Sequence, residues 1–303
     1  MIFDIKNITS IEFSIKTEHR NDDGKIVEEF YRISTDRQVK IMLKECLETT
    51  LKAFPSPIEG IDEFEISEKY SEKDRFKTHL ISHLRAKEIF EEDPSGNIFM
   101  SHIPKESIQY YRVDYTDSNG HRISGIRRAS YFKSLLKNRN RLVRFYDDSL
   151  CAVKDEFFKL DNDFDFISHG EIVYVLRPRV FESMVLPDDE VTNSALAKLY
   201  LLEDSLGYVN FESIKNAVNS YKRAARLVFA VSQRTDIDSI DKEKVVYYAG
   251  SSNVGIDVDE SGVITPKDGQ EIDFLEMLDR RIYNVEFIEG ETESYRAYSR
   301  KRR

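Results

Sequence analysis

The chain is 303 residues long and 40% hydrophobic, with 16 tyrosines and 19 phenylalanines, enough to bury a real core and too apolar for a disordered chain. A formal net charge of −10 excludes a wholesale cationic coat protein, and no apolar run reaches the ~18 residues a membrane span needs. Cys46 and Cys151 fit a reduced thiol pair better than a disulfide framework, and the start lacks the pattern of a secretory signal, so a cytoplasmic protein is expected.

Ile11, Phe13 and Ile15 alternate as in a half-buried strand, and Asn21 to Gly24 turn the chain into a second strand near 27–33. Asp36 is placed to cap a helix in which Val39, Leu43, Cys46, Leu47, Thr50, Leu51 and Phe54 follow helical spacing, with Pro55 and Pro57 as the stop. A second helix is expected over 71–90, with Phe76, Leu80 and Leu84 facing inward. Tyr111, Val113 and Tyr115 alternate again, Ser118-Asn119-Gly120 offers a tight hairpin, and the return strand is 122–129. Gly125 marks a bulge that would turn Ile123 and Ile126 inward together and leave Arg122, Ser124 and Arg127 on the outer face. Ser130 caps a short helix with Phe132, Leu135 and Leu136 toward the core and Lys133 and Lys137 toward solvent.

Strands follow at 142–146, 150–153, 164–167 and 172–176, and the dominance of local hairpins predicts an antiparallel or mixed sheet. Beyond Pro178 and Pro187 the pattern turns helical. Asp188, Asp189 and Glu190 suit a helix N-terminus, and Leu196, Leu199, Leu202 and Leu206 supply its apolar face. A long helix after Asn210 carries Ile214, Val218, Tyr221, Ala225 and Val228 on one side and the basic stripe Lys215, Lys222 and Arg226 on the other. A last helix over 272–278 precedes a short extended stretch and a basic tail ending in Arg300, Lys301, Arg302 and Arg303. The expectation is an α+β chain. A mixed α/β part over 1–186 has an antiparallel or mixed sheet with flanking helices, and a mainly helical part fills 187–303.

Between Asp117 and Asp147 the chain has no acidic residue but holds Arg122, Arg127, Arg128, Lys133, Lys137, Arg139, Arg141 and Arg144. These eight positive charges sit in a chain of net −10, so the remainder sums to −18. Tyr131, Phe132, Phe145 and Tyr146 interleave with them. Clustered cations with carboxylates kept away form an electrostatic footprint for a polyanion. The alternative is a surface hairpin and helix whose charges are balanced in space by acidic neighbours. Arg128 can also turn inward or end the strand.

Catalytic signatures are near-misses. Asp257, Asp259, Ser261, Gly262, Ile264 and Asp268 follow much of a calcium-loop spacing, yet the last position is Asp, Pro266 interrupts it and the flanks read as strands. Gly250 and Gly255 have phosphate-loop spacing, but Ile256 and Asp257 stand where Lys and Ser/Thr belong. His79 and His83 share a predicted helical face without a third metal ligand. Asp161, Asp163 and Asp165 alternate near Glu171 as nuclease carboxylates do, without the accompanying lysine; a charged turn entering a buried strand is the other reading. No cofactor is called for.

Three stretches carry a resemblance: Tyr111-Arg-Val-Asp-Tyr with Ile126-Arg-Arg-Ala-Ser; Leu160-Asp-Asn-Asp-Phe-Asp-Phe-Ile with Ile172-Val-Tyr-Val-Leu and Val180-Phe-Glu; and Phe274-Leu-Glu-Met-Leu-Asp-Arg-Arg-Ile-Tyr with Tyr295-Arg-Ala. In order and spacing they resemble the KwaB-like proteins of the Kiwa anti-phage defence system. The resemblance implies a DNA-binding effector that acts with a membrane-embedded KwaA subunit, impairs phage DNA replication and late gene expression, and self-associates as a dimer or larger assembly. It implies no catalytic residue. The basic window falls inside the resembling part and supplies a physical means of holding DNA. Two other readings stay open: a metal-dependent nuclease using Asp163 and Asp165, and a protein-interaction scaffold whose basic patch docks acidic surfaces.

Overall fold

The computed structural model describes residues 3–21, 23–56, 58–67, 70–97, 107–129, 143–146, 149–152, 158–288 and 291–297. Two compact units arise: residues 1–64 with 71–185, and residues 65–70 with 186–303. The fold class is α+β, as the alternation of hairpins and later helices predicts.

In the first unit nine strands form one sheet: β1 (Ile8–Arg20), β2 (Ile26–Ile33), β3 (Asp62–Glu63), β4 (Phe76–His79), β5 (Ser95–Asn97), β6 (Ile108–Asp117), β7 (Arg122–Arg128), β10 (Phe166–His169) and β11 (Ile172–Val175). Their order is β3-β4-β11-β10-β7-β6-β1-β2-β5. The sheet is mixed, because the edge pairs β2–β5 and β3–β4 run parallel while the central ones run antiparallel. A separate hairpin joins β8 (Val143–Tyr146) to β9 (Ser149–Ala152).

One face of the sheet is covered by α1 (Arg37–Lys52). The Asp36 carboxylate accepts the Val39 N–H at 2.8 Å and so caps its first turn. Leu43, Cys46, Leu47 and Thr50 then fall on one stripe and bury against Phe13, Ile15, Tyr111, Val113, Tyr115, Ile123 and Phe164. Two hydroxyls tie helix to sheet and loop: Tyr115 Oη donates to the Leu43 carbonyl (2.6 Å), and Thr50 Oγ1 accepts the Phe164 N–H (2.8 Å). The opposite face meets α2 (Leu84–Glu91) and α3 (Pro178–Val185), whose Phe90 and Phe181 stand edge-on to Phe166 at 5.8 and 5.1 Å.

The expected helix over 71–90 is replaced by β4, a 3-10 turn over Leu80–Ser82 and the shorter α2. Phe76 and Leu80 are spaced for a helix, but residues 76–79 pair with β11 instead, Phe76 opposite Val175. His79 and His83 therefore do not share a helical face. His83 packs edge-on to the rings of Phe64 (6.3 Å) and Phe181 (5.7 Å). The helix expected after Ser130 lies outside the described residues, as does the end of the basic tail.

The second unit is mainly helical, with α4 (Asp188–Ser205), α5 (Glu212–Ser220), α6 (Lys222–Ser232), α7 (Lys242–Ser251) and α8 (Glu271–Leu278), and hairpins β12–β13 (Ile256–Val258, Ile264–Pro266) and β14–β15 (Ile282–Ile288, Glu291–Arg296). Leu199, Leu202, Leu206, Ile214, Val218, Val228 and Phe274 form its core. The single long helix expected after Asn210 is two helices, because Tyr221 takes an extended conformation (φ −134°, ψ 116°). The break disperses the basic stripe. Lys215 pairs with Glu203 and Glu212 (both 2.8 Å), Lys222 with Asp188 (2.7 Å), and Arg226 donates to the Ser67 carbonyl. The calcium-like loop is a hairpin tip in which Asp259 accepts from Ser261 Oγ (2.7 Å) and Val263 N–H (2.8 Å).

Candidate nucleic-acid interface

The basic window opens on the β6–β7 hairpin. Asp117 organises its turn: the carboxylate accepts the N–H groups of Asp4 (3.0 Å), Asn119 (2.8 Å) and His121 (2.9 Å), and Gly120 takes φ +82°. Burial pushes this carboxyl up, but the three N–H donors and the His121 ring outweigh it and hold the pKa at about 2.

From that turn the register decides where each cation goes. Thr116, Asp114, Arg112 and Tyr110 stand opposite Arg122, Ser124, Ile126 and Arg128 without interruption, so β7 has no bulge. Gly125 has another reason: a Cβ there would lie 2.6 Å from the Phe164 ring, and only glycine lets that ring close over the sheet. With period two intact, Arg122 and Arg128 share one face and Arg127 shares the other with Ile123, correcting the expected grouping of Arg122 with Arg127.

Arg127 is buried among carboxylates. Its Nε donates to Asp161 Oδ2 (3.0 Å), and its Nη1 reaches Asp165 Oδ1 (2.8 Å) and Asp163 Oδ1 (3.4 Å). Arg177 completes the cluster: its Nη2 donates to both Asp163 oxygens (2.7 and 2.8 Å) and its Nη1 to Asp165 Oδ1 (3.3 Å). Lys159 pairs with Asp161 at 3.1 Å, so three cations meet three carboxylates. Burial pushes the Asp165 carboxyl up against the pull of Arg127, the Arg128 N–H and Arg177. For the Arg127 guanidinium, burial pulls the pKa down, but the surrounding carboxylates more than restore it. This is a charge-balanced network, and the buried Arg127 guanidinium is not available to a phosphate.

Arg122 and Arg128 are exposed, and Arg122 has no ion-pair partner among the described residues. Arg128 donates to Ser183 Oγ at 3.0 Å. They stand six residue steps apart along the strand, about 20 Å. Between them the face is closed by a polar network: Arg112 Nε donates to Asp114 (2.9 Å), Ser124 Oγ donates to the same carboxylate, and Arg112 Nη1 donates to the Ile89, Phe90 and Glu92 carbonyls at the end of α2. Arg144 lies on β8, and Lys133, Lys137, Arg139 and Arg141 lie outside the described residues.

Asp161, Asp163 and Asp165, the carboxylates of the metal reading, are the partners of Arg127 and Arg177. Among the described residues no group of three or more His, Cys, Asp or Glu side chains is placed to hold a metal ion. The role of Arg177 was invisible in the sequence, since nothing in the spacing of Asp163 and Asp165 announces a partner that folds back from beyond β11. No helix among the described residues is long and apolar enough to cross a membrane.

These features define the class: an α+β protein with a mixed nine-stranded sheet, a helical second unit and a cation-rich hairpin segment. The family described as Kiwa protein KwaB-like matches residues 105–287, more than half of the chain, and the chain belongs to that family. Membership is consistent with a role in anti-phage defence. Neither a curated protein nor a solved structure matches.

Proposed function

We propose that the chain is a non-enzymatic DNA-binding component of an anti-phage defence system. The observation that carries this reading is the acid-free window between Asp117 and Asp147 in a chain of net charge −10. The family supports the defence setting. With Arg127 neutralised internally, the phosphate contacts fall to Arg122, Arg128, Lys133, Lys137, Arg139, Arg141 and Arg144. The acidic remainder repels DNA from other surfaces and so favours one docking orientation. The protein works in the cytoplasm, self-associates, and is recruited to the membrane by an embedded KwaA-like subunit.

A titration of duplex DNA against salt tests this. Contact with about six phosphates gives a slope of log affinity against log salt near −5. Replacing the seven cations by glutamine abolishes binding. A slope near zero, or binding left intact by that variant, overturns the reading. Pull-down with the KwaA-like subunit and light scattering test the partner and the assembly.

The nuclease reading draws no support from the site, because both Asp163 oxygens accept from Arg177 and Asp165 accepts from Arg127. DNA cleavage with Mg²⁺ or Mn²⁺ that is lost in Asp163→Ala would reinstate it.

A further inference from the structure

The second unit holds a cavity of about 570 Å³ whose wall includes Arg234, Asp236, Lys244, Tyr248, Arg280 and Tyr283. That volume falls within the ~300–1,000 Å³ typical of small-molecule sites. The geometry points to a binding site for a nucleotide, a planar base with a short phosphate chain. This is separate from the basic window and does not depend on it.

The charge of the wall selects an anion. Asp236 lies between two arginines, 2.8 Å from Arg234 Nε and 2.8 Å from Arg280 Nη2. The hydrogen bond from Arg234, against a burial penalty and with the Arg280 charge beside it, holds the Asp236 carboxyl at about 2, so it stays ionised and anchors both guanidiniums. Asp241, the other acid in the wall, caps α7 by accepting the N–H groups of Glu243 (2.7 Å) and Lys244 (3.3 Å). The exposed ammonium of Lys244 has no ion-pair partner among the described residues. Three cations against two occupied carboxylates leave a positive excess on the wall.

The aromatic members select a flat ring. Tyr248 and Tyr283 line the cavity and are 54% and 49% exposed, so both phenols are accessible to a ligand there. Each contacts another tyrosine. Tyr283 stacks on Tyr295 at 5.8 Å and 19°, and Tyr248 stands edge-on to Tyr247 at 5.5 Å. Aromatic rings beside cations match the two halves of a nucleotide.

Backbone strain at the same wall is an independent sign. The turn after α8 closes with the Arg280 N–H on the Met277 carbonyl (2.8 Å) and the Arg281 N–H on the Glu276 carbonyl (2.8 Å). That pattern places its penultimate residue in the left-handed region, where glycine is the usual choice. Here the residue is Arg280, at φ +57°. The strained backbone at this position carries a side chain that lines the cavity, where glycine would relax the chain but supply no cation.

Isothermal titration of the full chain with ADP, GDP, CDP and UDP, and separately with adenosine and inorganic phosphate, tests the site. At least one nucleoside diphosphate is expected to bind saturably, with adenosine and phosphate alone each at least about tenfold weaker. Arg280→Gly and Lys244→Ala are each expected to lower the affinity about tenfold or more, the loss of one charge-assisted contact. Because Arg280→Gly relieves strain, its unfolding midpoint should not fall, which separates lost binding from lost folding. Absence of saturable binding by all four nucleotides up to millimolar concentration overturns the inference, as does unchanged affinity in Arg280→Gly. Displacement of the nucleotide by a short oligothymidylate that weakens in the same variants would assign the tyrosines to a DNA strand and overturn it too.

Discussion

Two ionic clusters in this protein use the same side chains to different ends. In the first unit Arg127, Arg177 and Lys159 meet Asp161, Asp163 and Asp165 in a balanced set, and the Arg127 side chain is only 8% exposed. In the second unit Arg234, Arg280 and Lys244 share a wall with Asp236 and an Asp241 already committed to a helix cap, and the Arg280 side chain is 57% exposed. Burial with balance makes a strut, whereas exposure with surplus charge makes a receptor for anions. A count of arginines cannot tell these apart; the number of carboxylates within hydrogen-bond reach can.

The largest effect expected from breaking this contrast is at Arg127. Arg127→Ala leaves three carboxylates with one guanidinium and one lysine, two of them deprived of their closest cation inside the fold. Removing one partner of such a buried set costs about 3–5 kcal/mol, read by urea denaturation. Neutralising the abandoned charges with Asp161→Asn and Asp165→Asn in the same chain should recover part of that loss. If Arg127→Ala instead leaves stability unchanged and weakens DNA binding, the residue belongs to the interface and the strut assignment is wrong.

Next in size is Gly125→Ala. The added methyl would meet Phe164 at 2.6–2.7 Å, a contact the ring can escape only by moving off Tyr111 and Tyr115. Overpacking of this kind costs about 1–3 kcal/mol. Pairing it with Phe164→Leu should make the glycine change milder than in the parent, because the obstructing ring is gone. A bulge at Gly125 would predict no dependence on residue 164.

Much of the fold was legible because it is encoded locally. Asp36 and the Leu43–Leu47–Thr50 stripe mark α1, the residues between Asp117 and Gly120 mark a hairpin, and three acids mark the start of α4. What misled was non-local. Phe76 and Thr78 were drawn into a strand by β11, a partner about a hundred residues away. Gly125 reads as a bulge until Phe164 is seen above it. The same limit governs the site. Residues 122, 127 and 128 are indistinguishable as a run of basic letters, but strand parity sends Arg127 inward, and the aspartates that receive it arrive from more than thirty residues downstream. Arg280 gave no signal either, since a left-handed arginine shows itself only in the backbone.

A change confined to acid pH follows from Asp117. Its pKa is about 2 in the folded protein against an ordinary 3.8. A carboxyl lowered on folding stabilises the fold above its ordinary value, and that contribution disappears as the pH falls from about 4 to about 2. The unfolding midpoint of Asp117→Asn should therefore be flatter than that of the parent across this window, and lower than it at neutral pH. Parallel curves would show that the turn does not depend on the ionised carboxylate.

The smallest change is at Arg280, and its sign is the informative part. Releasing a left-handed non-glycine residue gains about 1–2 kcal/mol, while the half-exposed pair with Asp236 contributes about 0–1 kcal/mol. Arg280→Gly should thus leave the second unit equally stable or slightly more stable, the reverse of Arg127→Ala. Arg280→Ala loses the same ion pair and keeps the strain, so it should be less stable than Arg280→Gly. The order glycine above alanine, read by thermal unfolding, isolates the backbone term from the charge. If alanine equals glycine, the φ of +57° stores no strain and the arginine needs no function to explain it.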